Sequence, residues 1–171
     1  MMRAGRTAGR RISICTTKKR RRICSPAART DLAHCISADF AMGKGIAADM
    51  EQRFGLREQL RWEHSGYQEM WAKDRRGDAL RTGCVFNLVT KERYFHKSTL
   101  RTMCEALTRM RDIAGREGIR RIAMPRIGCG LDRLSWEDVR QLIHEVFGRT
   151  DAEILVCTPG KEKSNDRSSS I

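Results

Sequence analysis

Residues 123–138 read AMPRIGCGLDRLSWED and decide the fold. An apolar run that suits a buried strand is followed by two glycines, a carboxylate and then a helix start at Ser135. A packed core does not require glycines at such a place. A ligand that lies against bare backbone does, because glycine has no Cβ and allows close approach. The stretch therefore predicts a strand, a ligand-binding loop and a helix in direct succession.

The same alternation extends to both sides of this stretch. Short apolar runs predict strands, and apolar residues at helical spacing predict helices between them. Such alternation is typical of an α/β domain with a largely parallel sheet and helices on both of its faces. The predicted strands are residues 31–37, two around a turn at residues 82–83, 120–128 and 152–158, and the predicted helices are 45–54, 99–117 and 135–147. The apolar stripe of the first helix includes Ile46, and that of the second includes Leu100. Ser98 or Thr99 can cap the second helix, and Ser135 with Asp138 gives the third a capping-box-like start.

A second glycine-rich segment, MGKGIA at residues 42–47, also follows a predicted strand and precedes a predicted helix. Ligands of α/β folds lie beyond the carboxyl ends of the strands, so both glycine loops should open onto one edge of the sheet. Helix N-termini carry unpaired N–H groups that suit phosphate. The two loops therefore predict a diphosphate held from both sides, although either loop taken alone is equally consistent with a plain turn.

A nicotinamide-binding Rossmann unit is the main alternative, because GKGIAA matches the pattern G-x-G-x-x-A. Five residues, ADFAM, separate the strand from the first glycine, where that pattern needs a tight turn. No second strand ending in an acidic residue follows at the expected distance of roughly 20 residues. The sequence therefore argues against this alternative, and the Walker pattern GxxxxGK[ST] is absent.

The positive charge is concentrated at the N-terminus. Of the net charge of +13, residues 1–30 contribute +10, with ten Lys or Arg and no acidic residue. The run KKRRR at residues 18–22 predicts a nuclear or nucleolar protein with possible nucleic-acid contact through this arm. A mitochondrial transit peptide and a solvated tail remain alternatives. We expect a basic arm over residues 1–30, which can include a first strand at ISIC, a domain over 31–159 and a disordered tail over 160–171.

The composition argues against several classes of protein. No stretch approaches the roughly 18 apolar residues of a membrane span, so no membrane contact is expected. The seven cysteines contain no C-x-x-C pair, and the four histidines show no i, i+4 pair. This pattern predicts reduced thiols in a reducing compartment, with neither a disulfide framework nor a metal site.

Three groups of motifs make the sequence recognisable: AHCIS with MGKGIA, LVTKE with HKST, and MPRIGCGLDRLSWEDV. Together they resemble macrodomains of the ADP-ribose glycohydrolase group, which are terminal ADP-ribose protein glycohydrolases and O-acetyl-ADP-ribose deacetylases. The resemblance covers about residues 31–158. It implies a three-layer α/β/α sandwich around a mixed, largely parallel sheet. It also implies ADP-ribose and ADP-ribosylated proteins as ligands, a monomer and no cofactor. Bacterial relatives that act on ADP-ribosylated DNA share some of these motifs, so DNA stays open as the acceptor.

The resemblance assigns catalysis to two residues, Lys91 in LVTKE and Asp132 in GCGLD. An uncharged lysine amine can attack the anomeric carbon of the distal ribose and release the acceptor carboxylate. An aspartate beside it can then take and return protons. A non-catalytic ADP-ribose reader tethered to nucleic acid is the alternative. Because a reader needs only the phosphate cradle, the presence of both residues favours the hydrolase. The resemblance implies ligand contacts at Ile23, Ser37, Gly43, Gly45, Ile46, Thr99, Arg126, Ile127, Gly128, Cys129, Gly130 and Leu131.

One position departs from the family pattern. The resembling proteins carry an aspartate just after the first strand, where it recognises adenine. Here the region reads KKRRRICS, with Arg22 or Thr17 in that place depending on the register. Three explanations stay open: adenine is held by backbone and stacking alone, the affinity is weaker, or the first exon is misassigned in this sequence.

Overall fold

The computed structural model of the protein describes residues 12–16 and 30–158. Within them, strands and helices alternate much as the sequence pattern predicts. The predicted contact residue Ile23 and the predicted tail at residues 160–171 lie outside the described residues. The elements are β1 (Ile12–Thr16), β2 (Asp31–Ser37), α1 (Gly45–Phe54), α2 (Leu56–Glu63), α3 (Tyr67–Asp74), β3 (Asp78–Thr82), β4 (Val85–Lys91), α4 (Leu100–Arg116), β5 (Arg121–Met124), α5 (Trp136–Phe147) and β6 (Glu153–Thr158).

The strands of the described residues form one six-stranded sheet in the order β1-β6-β5-β2-β4-β3. Every neighbouring pair is parallel except β3 and β4, which form an antiparallel hairpin with Asp78 opposite Val89. The predicted mixed, largely parallel sheet is therefore confirmed. Strand β1 comes from inside the basic N-terminal segment and pairs with β6, with Ile12 opposite Ile154.

Helices cover both faces of the sheet and complete the three-layer sandwich. One face packs against α4 and α5, whose Met103, Leu107 and Ile143 are fully buried. The other face packs against the short helices α2 and α3, through Leu60 and Trp71 among others. Burial of such side chains is the main stabilising contribution of the two layers. No helix of the described residues is long and apolar enough to cross a membrane.

Two of the predicted apolar stripes are less buried than the helical spacing suggests. Helix α1 contributes no fully buried residue, and its Ile46 is 46% exposed. Leu100, predicted on the buried face of α4, is 39% exposed and is the first residue of that helix. Spacing identifies the face of a helix, but the neighbouring layer decides how much of that face is covered.

The two predicted helix starts also differ in chemistry. Thr99, and not Ser98, is the N-cap of α4, where its hydroxyl accepts from the Thr102 N–H in a capping box. Ser135 occupies the N-cap position of α5 but makes no side-chain capping bond. The capping-box-like start predicted there is therefore wrong, and Glu137 and Asp138 in the first turn favour the helix through its dipole instead.

The strand order positions the site. Strands β5, β2 and β4 are neighbours and run parallel, so the segments that follow them emerge at the same edge of the sheet. These segments are the two glycine loops and the residues after Lys91.

Candidate active site

A cavity of about 450 Å³ opens at this edge of the sheet, between the two glycine loops. The structure brings both predicted catalytic residues and most of the predicted ligand-binding residues to its wall, although they are spread over nearly a hundred positions of the chain. The predicted residues that line the cavity are Ser37, Gly43, Gly45, Ile46, Lys91, Arg126, Ile127, Gly128, Gly130, Leu131 and Asp132.

Two predicted contact residues are placed elsewhere. Thr99 does not line the cavity, because its hydroxyl is used to cap α4. Cys129 is also absent from the wall, and its thiol points to the Ile127 carbonyl and packs against the core. Burial raises the pKa of the Cys129 thiol, which keeps the sulfur neutral and argues against a nucleophilic role.

Lys91 and Asp132 form the polar centre of the cavity. The Lys91 Nζ donates to Asp132 Oδ1 at 2.7 Å, and their side chains are only 11% and 7% exposed. Lys91 is the last residue of β4, whereas Asp132 lies in the loop after β5, on the far side of β2. An ion pair withdrawn from water contributes little to stability compared with apolar side chains of similar size. The pair therefore indicates function.

Two buried hydroxyl groups continue from this pair. Ser98 Oγ donates to Asp132 Oδ2 at 2.7 Å, and Thr90 Oγ1 lies 2.7 Å from Ser98 Oγ. Thr90 and Ser98 are both buried. The sequence pattern indicates Ser98 only as a candidate helix cap and assigns no role to Thr90. A hydroxyl beside the predicted aspartate is not visible from spacing, because Ser98 and Asp132 are 34 positions apart.

The first glycine loop is held by charged side chains on both sides. Asp39 accepts from the Ser37 hydroxyl, from the Ala41 N–H and from the Tyr94 N–H, and thereby joins the loop to the segment after β4. The Arg57 guanidinium donates to the carbonyls of Ala41 and Met42. Phe40 and Met42, which are not glycines, hold positive φ angles of 52° and 42° in this loop. Such conformations persist only where the surroundings enforce them, and they concentrate at functional sites.

The first turn of α1 forms part of the cavity wall. Gly45, Ile46 and Ala47 line the wall, and the N-cap residue Lys44 makes no side-chain capping bond. No acidic residue occurs in this turn. Unpaired N–H groups and the positive end of the helix dipole are therefore available to an anion such as a diphosphate.

The second glycine loop depends on Gly128. Its φ is +71°, and a Cβ there would lie 2.7 Å from the Met103 side chain and 2.9 Å from that of Leu134. A hydrogen bond from the Leu134 N–H to the Gly128 carbonyl closes the loop. By contrast, a Cβ on Gly130 would meet no protein atom within 4 Å. Gly128 is thus required by the fold of the loop, whereas Gly130 leaves open space on the cavity side.

His34 is a part of the cavity wall that sequence analysis did not single out. Its Nε2 lies 2.8 Å from Asn87 Oδ1, and Asn87 Nδ2 donates to the Leu80 carbonyl, so the amide oxygen is the acceptor and Nε2 carries the proton. The other ring nitrogen, Nδ1, has no partner among the described residues. Burial lowers the pKa of His34 to about 4 despite the hydrogen bond to Asn87, so the imidazole is neutral.

Cys35, the neighbour of His34, also lines the cavity, near Lys91 and Asp132. Burial and, to a lesser extent, the Asp132 charge raise the pKa of the Cys35 thiol to about 12. A thiol in this state is not a nucleophile at neutral pH. The raised pKa values therefore argue against a nucleophilic role for either Cys35 or Cys129.

The mouth of the cavity is cationic and aromatic. Exposed Lys44, Arg93, Lys97, Arg126 and Arg133 lie on the segments that surround it. Arg126 lies with its guanidinium 5.6 Å above the ring of Trp136, which is half-buried against the core. Tyr94 and Phe95 are 61% and 60% exposed, and their rings meet edge to face at 5.2 Å. Tyr94 also lines the cavity.

Comparisons with known proteins agree with this architecture. A family model described as the Macro domain matches residues 33–143. The ADP-ribose glycohydrolase OARD1 of Homo sapiens is 41% identical over 133 residues, which are 76% of this chain and 83% of the human protein.

Solved structures are similar in fold. The macrodomain of Mycobacterium tuberculosis DarG superposes with a TM-score of 0.69 at 22% identity, over 89% of this chain and 100% of that one. A structure of Thermosipho africanus DarTG in complex with ADP-ribose has a TM-score of 0.55 at 19% identity, over 77% of this chain and 39% of that one. At such identities the likeness shows the fold alone.

Proposed function

We propose that this chain, which belongs to the Macro domain family, is an ADP-ribose glycohydrolase. Its proposed reaction releases terminal mono-ADP-ribose from glutamate and aspartate side chains of proteins. The observation that carries the proposal is the 2.7 Å contact between Lys91 Nζ and Asp132 Oδ1 in the cavity wall. A module that only binds ADP-ribose needs the glycine loops, but it has no use for a lysine and a carboxylate withdrawn from water beside them. The similarity to human OARD1 supports the same activity.

In the first step, the Lys91 ammonium gives a proton to Asp132 Oδ1, with which it is already in contact. The freed electron pair forms a bond from Nζ to the anomeric carbon of the distal ribose. The bond from that carbon to the acceptor oxygen breaks, and the acceptor leaves as a carboxylate with the bonding electrons. No oxidant or reductant is needed.

In the second step, Asp132 returns its proton to the ring oxygen of the ribose as the carbon–oxygen bond of the ring breaks. It takes in turn one of the two protons of the adduct nitrogen, whose freed electron pair forms the protonated imine. Water adds to the imine carbon, the carbon–nitrogen bond breaks, and ADP-ribose and the free lysine are regenerated. One residue, Asp132, thus takes and returns the proton, which explains why it contacts Lys91 directly and not through water.

The test compares wild type with Lys91→Ala on a protein carrying mono-ADP-ribose on glutamate. We expect release of ADP-ribose by wild type and none by the variant, while calorimetry shows that both bind free ADP-ribose, because the glycine loops are unchanged. Lys73→Ala on the exposed face of α3 is the matched control and should behave as wild type. Binding without release by wild type would identify a reader instead. Absence of binding at millimolar ADP-ribose would refute the proposed ligand.

A nucleic acid is the second candidate acceptor, and the mouth of the cavity favours it. Exposed aromatic rings that can stack on bases, combined with cations that contact phosphates, are typical of single-stranded nucleic-acid sites. Tyr94 lines the cavity together with Lys91, and Arg93, Phe95 and Lys97 are exposed on the same segment of chain. Tyr94→Ala should slow release from an ADP-ribosylated oligonucleotide more than release from a glutamyl-linked protein. Equal effects on both substrates would argue for the protein acceptor.

Further parts of the proposal concern the context of the enzyme. O-Acetyl-ADP-ribose, an ester of the same ribose, is a small substrate that the same lysine and aspartate can serve. The ten basic residues of the N-terminal segment support a nuclear location with nucleic-acid contact, and import into mitochondria would be the contrary result. We propose a monomer, which sedimentation of the purified chain would test.

A further inference from the structure

We propose that the Ser98 and Thr90 hydroxyls form a positioning device that fixes the Asp132 carboxylate and reserves its Oδ1 for proton exchange with Lys91. This inference rests on the proposed function, because it concerns the same aspartate. It goes further by assigning roles to two residues that touch neither the ribose nor the lysine in the proposed steps. Both are buried, and each lies 2.7 Å from the next group in the chain.

The direction of each hydrogen bond follows from the number of protons available. A carboxylate can only accept hydrogen bonds, so the Ser98 hydroxyl uses its single proton to donate to Asp132 Oδ2. At the contact between Thr90 and Ser98, the serine oxygen must therefore be the acceptor, and Thr90 donates. The chain runs from Thr90 to Ser98 to Asp132, and Lys91 donates to the same carboxylate from the opposite side.

This direction distinguishes the two carboxylate oxygens. A proton arriving on Oδ2 would require Ser98 to turn and donate to Thr90, whose own hydroxyl proton would then need a new acceptor. No second partner of the Thr90 hydroxyl occurs in the part of the chain that the structure describes. A proton arriving on Oδ1 from Lys91 leaves the chain of hydrogen bonds unchanged. The arrangement therefore favours Oδ1 as the oxygen that takes and returns the proton.

The position of Asp132 explains why such a device is useful. Asp132 lies in a loop between exposed Leu131 and Arg133, so no packed side chain next to it in sequence restrains it. Two consecutive residues, Lys97 and Ser98, donate hydrogen bonds to this loop. The Lys97 Nζ donates to the Leu131 carbonyl, and the Ser98 hydroxyl donates to the Asp132 carboxylate. Because the Asp132 side chain is only 7% exposed, bulk water has little access to replace the hydrogen bond from Ser98. Loss of the hydroxyl would leave Oδ2 without a donor.

The kinetic test uses the full chain and the glutamyl-linked substrate described above. Ser98→Ala should lower kcat about tenfold with KM nearly unchanged, which corresponds to one lost hydrogen bond to a charged group. The acid limb of its pH–rate profile should move to higher pH, because the carboxylate has lost a bond that stabilises its charged form. Thr90→Val, which keeps the shape of the side chain, should give a smaller change in the same direction. Ser98→Thr should restore most of the activity.

Ser135→Ala is the matched control, because this serine also precedes a helix but makes no side-chain capping bond there. It should leave kcat and the pH profile unchanged. A purely structural role of Ser98 predicts a different pattern, in which Ser98→Ala lowers the melting temperature and ADP-ribose affinity while the pH profile overlays that of wild type. That pattern, or a kcat within twofold of wild type, would overturn the proposal.

A second measurement needs no turnover and separates this proposal from the proposed function. The side-chain carboxyl carbon of Asp132 is followed by NMR during an acid titration of the ligand-free protein, with Asp132→Asn to assign the resonance. The proposal predicts that protonation occurs at higher pH in Ser98→Ala than in wild type, and coincident curves would overturn it. If wild type releases no ADP-ribose but the two curves differ, the proposed function fails and the positioning role stands.

Discussion

The neutral, buried imidazole of His34 should make the stability of the protein depend on pH well above the range where carboxyl groups titrate. Burial lowers the pKa of His34 from 6.5 to about 4 in the folded protein. In the unfolded chain the imidazole returns to the ordinary value of about 6.5. Because the folded pKa is the lower one, the unfolded chain binds the proton more tightly. Stability is therefore fully present above pH 6.5 and is lost as the pH falls towards about 4.

The size of the effect follows from these two values. Between pH 7 and pH 5 the linkage relation gives a loss of about 2 kcal/mol from His34 alone. Aspartate and glutamate also begin to titrate at the acid end of this interval, so the effect of His34 is measured as a difference between two proteins with the same carboxyl groups. For a chain of 171 residues a loss of this size corresponds to a fall of roughly 4–8 °C in the melting temperature.

The assay is urea unfolding of the ligand-free chain at pH 7 and at pH 5, followed by tryptophan fluorescence, in wild type and His34→Gln. Glutamine can still donate to the Asn87 amide oxygen but does not titrate. The other three histidines are present in both proteins, so their effects cancel. We expect the free energy of unfolding to fall by about 2 kcal/mol less in the variant. If the two proteins lose the same stability, to within about 0.5 kcal/mol, His34 is not the buried neutral group inferred here.

Three further predictions concern the site and the N-terminal segment. Asp132→Ala should abolish turnover while a slowly formed ribosyl adduct accumulates on the catalytic lysine; mass spectrometry that finds no added mass after long incubation would argue for direct attack by water. Gly128→Ala should lower the free energy of unfolding by about 1–3 kcal/mol, because a Cβ at its positive φ would clash with Met103. Gly130→Ala should lower it by less than about 0.5 kcal/mol. Equal losses in urea unfolding would contradict this prediction. Replacing the basic residues at 18–22 with alanine should move a fluorescent fusion out of the nucleus. Substitution is preferable to deletion of the N-terminal segment, because β1 belongs to the sheet. An unchanged distribution would count against a nuclear signal in this run.

The α/β class, the helices α4 and α5 and the hairpin of β3 and β4 could be predicted from the sequence, because each depends on local periodicity and on turn residues. The two glycine loops could be predicted for the same reason. A single glycine pair between a strand and a helix is consistent with a plain turn, but two such loops at one edge of the sheet indicate backbone contact with a ligand. The motif around Lys91 and the one around Asp132 also identified the family, since they combine unusual residue types at short, fixed spacing.

Helix caps were predicted less reliably than helices, because neighbouring residues with hydroxyl side chains suit the N-cap position equally well. Ser98 and Thr99 both suit a helix cap, and only the structure shows that Thr99 caps α4 while Ser98 turns to Asp132. Ser135 suits a cap but makes no side-chain capping bond. A helix start constrains which residue types are favourable, but it does not determine where a short hydroxyl side chain points.

The polar centre of the site was decided by the tertiary structure. Local sequence pattern is enough to predict that a lysine ends one strand and an aspartate follows another, because strands, turns and glycine loops are properties of a few consecutive residues. That the two side chains meet at 2.7 Å depends on the placement of β2 between β4 and β5, which no local pattern specifies. The partners of His34 and Asp132 likewise come from other elements. Hydrogen bonds in a buried site are set by distances across the sheet, and these exist only once the layers have packed.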